Sequence, residues 1–171
     1  MARARKGSSL IEFVLFGIPT IFMSLSIFEG SLTMWQYHTL SEAAAVGARY
    51  AVTHGSDCSQ GGNTCTSTGK QVATVIQAAA VGLDPTKVNV TLTPQTGTVV
   101  GPYHLSDCIA GNAQASNCTA NFPNGLTPPN TITVTLTYTV SNPIVMMWPG
   151  AGKVTETGAT LGAVSTQEVL F

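Results

Sequence analysis

Apolar and polar positions alternate along this chain with two different rhythms. From Phe13 to Phe28 the sequence reads FVLFGIPTIFMSLSIF, an unbroken uncharged run closed by Glu29. A helix from Phe13 to Trp35 would rise roughly 33 Å, enough to cross a hydrocarbon core of about 30 Å. The next stretch, Leu32 to Val52, is rich in Ala and free of Pro. At ~100° per residue, Tyr37, Leu40, Ala44, Ala48 and Ala51 share one arc, with His38, Glu42 and Arg49 opposite. One helix is therefore expected from Ser8 to about Val52, roughly 65 Å long by its rise per residue. Its upper half should pack small residues closely onto another element. Gly17 and Pro19 interrupt the apolar half. Pro19 has no N–H for the Leu15 carbonyl, so a kink or local loosening is expected there. His54-Gly55 is the expected stop.

Beyond the stop the pattern becomes that of a small mixed domain. Lys70 to Leu83 reads as a helix, with Val72, Val75, Ile76 and Ala79 on one face, and Asp84-Pro85 ends it. Lys87 to Thr93 alternates Val88, Val90 and Leu92 with polar residues, the period of a half-buried strand. Thr131 to Val140 is the clearest strand, with Ile132, Val134, Leu136, Tyr138 and Val140 on one face. Val154 to Thr166 gives a weaker final strand or strand pair. Residues 94–130 are dense in Pro, Gly and Asn; a short strand at Thr96 to Val100 is expected, and loop elsewhere. Loops commonly carry partner contacts, and a variable decorated loop is the competing reading. The apolar Ile144-Val145-Met146-Met147-Trp148 segment reads as a core plug before it reads as a binding patch. The expected fold class is α+β. It comprises a long N-terminal helix, membrane-spanning in one half and amphipathic in the other, a small mainly antiparallel sheet and one short helix.

Composition sharpens this picture. Charged residues make up 9% of the chain, against about 25% in ordinary soluble domains. The net charge is −1, which argues against a nucleic-acid surface. Arg3, Arg5 and Lys6 precede the apolar run, and only Arg49, Lys70, Lys87 and Lys153 follow it. By the positive-inside rule the N-terminus lies in the cytoplasm, and Trp35 and Tyr37 suit the outer interface. The membrane segment is then about 10–35, with residues 54–171 outside. The four cysteines, Cys58, Cys65, Cys108 and Cys118, form two close pairs in polar loops without zinc-ligand spacing. Three disulfide connectivities can be drawn; the local 58–65 and 108–118 pairing is the simplest in an exported head. Free thiols would mark a cytosolic protein instead.

Glu12 stands at the start of the apolar helix. A carboxylate inside a membrane segment costs at least ~2.5–3.5 kcal/mol on insertion scales, so such residues usually have a partner. One reading is a capping box, Ser9-Leu10-Ile11-Glu12, at the positive end of the helix dipole. The other takes in the preceding residues. A cut after Gly7 would leave Ser8 as a free amino terminus and Glu12 as the fifth residue of the mature chain. An ordinary cleaved signal peptide also has a basic start and an apolar core. Against it, small-residue cleavage candidates appear only around Ala43 to Ala45, inside the helical pattern.

The basic leader, Lys6-Gly7, Ser8 and Glu12 resemble the prepilin-peptidase motif of type IV pilins and pseudopilins. The alanine-rich segment Ser41 to Ala51, with its Ala-Arg-Tyr-Ala ending, narrows the likeness. It resembles TadE-like minor pseudopilins of the Tad (Flp) pilus system. The resemblance covers the N-terminal third, including Glu12-Phe13, Pro19 and Trp35, and the remainder only in pattern. It implies removal of residues 1–7, with Glu12 pairing to a neighbouring subunit's N-terminal amine to set register. The mature chain then divides into a helix over 8–53 and a head over 54–171. The implied partners are a prepilin peptidase, other pilin subunits, an inner-membrane platform with its ATPase motor, and the lipid bilayer. The implied place is the bacterial inner membrane, or a filament growing from it. TadF-like membership remains open on these residues. An unprocessed single-pass anchor for a binding domain is the alternative. No catalytic motif is present. His38, His54 and His104 are scattered, and Asp57, Asp84 and Asp107 fall in loop or cap contexts. An enzyme is not expected, nor any cofactor or metal.

Overall fold

A computed structural model describes residues 8–54, 67–95, 97–120, 130–140 and 159–169. Helix α1 spans Ser8–Thr53, 46 residues, or about 69 Å. It runs through Pro19 without a break in helical assignment. At its upper end the His54 N–H donates to the Tyr50 carbonyl at 3.1 Å, and the His54 ring stacks on Tyr50 with centroids 4.1 Å apart. Leu40, Ala43, Ala44, Gly47, Ala48 and Ala51 are buried. Tyr37 departs from the expected arc: it is 43% exposed, because the head covers the helix fully only from Leu40 upward.

Helix α2, Gly69–Ala79, opens with a capping box. The Gln71 N–H donates to Thr68 Oγ1 at 3.3 Å, and the Thr68 N–H donates to Gln71 Oε1 at 2.9 Å. Val72, Ala73 and Ile76 are buried, and α2 packs against α1. The helix ends four residues before the expected Leu83, because the chain turns through Gly82 at φ +80°, a conformation that only glycine adopts without strain. Leu83 is buried all the same.

The sheet is antiparallel, with strands β1 (Val88–Pro94), β2 (Val100–His104), β3 (Asn130–Val140) and β4 (Ala159–Val169) in the order β2-β1-β3-β4. Val90 faces Leu136, and Thr133 faces Thr166. Period-two alternation places Val88, Val90, Leu92, Ile132, Val134, Leu136, Tyr138, Val140 and Ala163 in the core. The threonines of β3 turn the other way; Thr133 and Thr166 share a hydroxyl hydrogen bond of 2.9 Å across the strands. Helix α1 lies over β3 and β4, with α2 beside it. Gly47 is what lets the layers meet: a Cβ there would stand 2.5 Å from Ile76 Cγ1, closer than any packed carbon pair.

Residues 97–120 are not the expected loop. They hold β2, helix α3 (Leu105–Ala110) and a 3₁₀ segment at Ala113–Thr119. The short strand expected at 96–100 forms at 100–104 instead, where it pairs with β1. Among the described residues the head thus has two more short helical pieces than the one expected. Their sequence signals are weak because they are short and because burial of Leu105, Cys108, Ala115 and Cys118 supplies their stability. The final strand is described over Ala159–Val169 and runs three residues past the expected Thr166; the expected start at 154–158 lies outside the described residues. The expected plug at 144–148 lies outside the described residues.

Candidate functional site

The lower half of α1 is the chemically distinctive surface of the molecule. Leu10, Ile11, Phe13, Leu15, Phe16, Ile21, Met23, Ile27 and Phe28 all stand exposed. The helix is long and apolar enough to cross a membrane, and none of its most apolar window is buried inside the protein. Such a surface needs cover from outside the chain, since a contiguous apolar face of this size is not left to water.

Five of its hydroxyl side chains are turned inward onto the helix itself. Thr20 Oγ1 donates to the Phe16 carbonyl at 2.7 Å. Ser24, Ser26 and Ser31 donate to the carbonyls of Thr20, Phe22 and Ile27, each at 2.9 Å. Thr33 donates to the Glu29 carbonyl at the same distance. Each hydroxyl spends its donor on a carbonyl four residues back, so the belt offers few free donors to an apolar medium. Sequence reading passed over these five residues; hydroxyls spaced within an uncharged run were the available signal.

Glu12 sits on α1 with its side chain exposed, in the same belt. Ser8 begins the helix. Arg3, Arg5, Lys6 and Gly7 lie outside the described residues, and so do Cys58 and Cys65 with their expected bridge. The expected 108–118 bridge is present, with its Cα atoms 5.4 Å apart. Both half-cystines are buried, tying α3 to the 3₁₀ segment.

The remaining candidates have structural employment. Asp84 accepts from the Thr86 hydroxyl at 2.7 Å and from the Thr86 N–H at 3.0 Å. Those two bonds, with a lesser contribution from Lys87, hold its carboxyl below the ordinary value of 3.8. Asp107 accepts from Asn112 Nδ2 at 3.0 Å beside the α3 terminus. His54 Nδ1 lies 3.1 Å from the Tyr50 carbonyl and 2.9 Å from Thr53 Oγ1. Tyr37 and His38 meet edge to face. No three His, Cys, Asp or Glu side chains converge among the described residues.

A family model described as TadE-like protein matches residues 7–49. The match opens at Gly7, takes in Glu12 and ends at Arg49, so it covers most of α1 and none of the head. No curated protein and no solved structure matches the chain.

Proposed function

We propose that this chain, TadE-like over residues 7–49, is a pilin-like minor subunit acting in Tad pilus assembly, adherence or secretion. One observation carries the reading. A single long helix exposes an apolar belt of membrane length, and Glu12 stands within it, five residues after Gly7. In this reading the leader with Arg3, Arg5 and Lys6 stays in the cytoplasm and the head stands outside the inner membrane. A prepilin peptidase cuts between Gly7 and Ser8. The freed amine of one subunit then meets Glu12 of another. A buried ion pair of that kind is a device for register more than for stability. Helices in lipid gain no hydrophobic drive from one another, because the lipid tails are equally apolar. Extraction into a filament therefore needs a motor, which the platform and its ATPase would supply.

The test is the N-terminal sequence and intact mass of the chain from cells with and without a prepilin peptidase. The expected result is a chain beginning at Ser8 only where the peptidase is present. A chain that keeps residues 1–7 in both strains would leave a single-pass anchor for the head, with Glu12 serving the helix start.

A further inference from the structure

The turn that joins α2 to β1 reaches down to α1 at Trp35. A Cβ built on Gly82 would collide with Trp35 Cη2 and come within 3.1 Å of Cζ3. The tip of the indole's six-membered ring therefore abuts the turn's backbone, at the lower end of the head. Beside Gly82, Val81 projects an apolar side chain that is 68% exposed, and Trp35 itself stays 48% exposed. Asp84 and Lys87, both exposed, follow at once.

The height of this cluster along α1 decides what it meets. Counted from Leu10, about 30 Å of helix ends near Gly30, and Trp35 lies roughly 7.5 Å higher. The headgroup layer on one side of a bilayer is ~5–8 Å thick. Trp35, and the turn resting on it, thus fall at the level of the lipid headgroups. Indole rings settle there by preference, with an apolar body and a polar N–H.

We propose that the turn at 80–84 seats on the outer headgroup layer of the bilayer that α1 crosses, with Val81 and Trp35 as its lipid contacts. The head rests on the membrane surface instead of standing away from it on a bare stalk. The proposal depends on the reading of α1 as a membrane span. Its occupant is lipid because the patch is continuous with the apolar belt and sits where that belt leaves the hydrocarbon.

Met23, Val81 and Val164 are each replaced in turn by the photo-reactive residue p-benzoylphenylalanine in the full chain, reconstituted into phosphatidylethanolamine and phosphatidylglycerol vesicles. All three side chains are well exposed, so the head tolerates the larger group. Irradiation followed by peptide mass analysis is expected to give phospholipid adducts at Met23 and Val81. At Val164, on the outer face of β4, the yield should be several-fold lower. Lipid adducts at Met23 with none at Val81, or with a second copy of the chain captured at Val81, would overturn the proposal and leave the span standing. Equal yields at Val81 and Val164 would also overturn it, since the contact would not be specific to the turn. Absence of a lipid adduct at Met23 would overturn the span itself, and the seating with it.

Discussion

Leu25 and Leu40 belong to the same helix and have opposite surroundings. Leu25 is 42% exposed, in a stretch where no large apolar side chain is buried in the chain's own core. Leu40 is fully buried, the largest member of a face otherwise made of Ala and Gly. Side-chain size thus runs against burial along α1: bulky residues face outward below, and small residues face inward above. In a water-soluble amphipathic helix the large residues would be the buried ones. The inversion shows that α1 has two separate partners. In the proposed function the lower half keeps its large side chains for lipid or another subunit's helix; the upper half uses small ones to bring its own sheet and α2 close.

Three measurements test that division. The largest effect is expected from Leu40→Ala, which leaves a cavity beneath the head and should cost ~2–5 kcal/mol. Denaturant unfolding of the full chain in detergent, followed by the head's signal, would measure it. Leu25→Ala should move the same transition by less than about 0.5 kcal/mol. Equal losses from the two would mean that the halves form one cooperative unit, and the comparison would break.

Next come the glycines. Gly47→Ala forces a methyl into Ile76, a fully buried neighbour, and should destabilise the head by ~1–3 kcal/mol. Gly30→Ala meets nothing within 4 Å; it should leave the head unchanged and favour the helix by up to about 1 kcal/mol. The same unfolding assay reads both. A normal Gly47→Ala head would show that the layers do not need their close approach.

The smallest effect is at the head's rim. The Asp84 carboxyl should titrate below 3.8, followed by carboxyl-carbon resonance, and Thr86→Ala should raise its midpoint toward that value. Because the folded-state value is depressed, its contribution is present above 3.8 and fades as the pH falls through the folded midpoint. A midpoint insensitive to Thr86→Ala would remove the Thr86 hydroxyl as the main cause.

Legibility in the sequence followed the same divide. The extent of α1, the strand faces around Val88 to Leu92 and Ile132 to Val140, and the 108–118 bridge could be read from residues alone. Each rests on a long periodic pattern or on proximity in the chain. The stretch 100–119 could not. Its three elements are short, and their order comes from long-range burial of Leu105 and Ala115 and from pairing with β1. Tyr37 was misplaced because angular position on a helix does not reveal how far down the neighbouring layer extends. The contact of Trp35 with Gly82 was hidden for a related reason: Gly82 signals only a turn, and its neighbour is distant in sequence. At the candidate site, Glu12 could be picked out by its charge in an uncharged run. The hydroxyls could be located as well, but not their inward-turned bonds, which depend on rotamers.

The Cys108–Cys118 bridge bears on how such a head can diversify. Both of its ends are buried, while Ala110, Gly111, Asn112, Ala113 and Gln114 between them are exposed. Substitutions at Ala110, Ala113 and Gln114 alter the outward surface without entering the core, while Gly111 at φ +72° and Asn112 hold the turn between them, and the covalent closure limits what an ill-fitting residue can undo. Such a patch can therefore be rewritten while α1 keeps the constraints of its close small-residue packing and its apolar belt. Mutational tolerance should be concentrated in the arc and scarce along the stem, a difference that would become visible once many such chains are aligned.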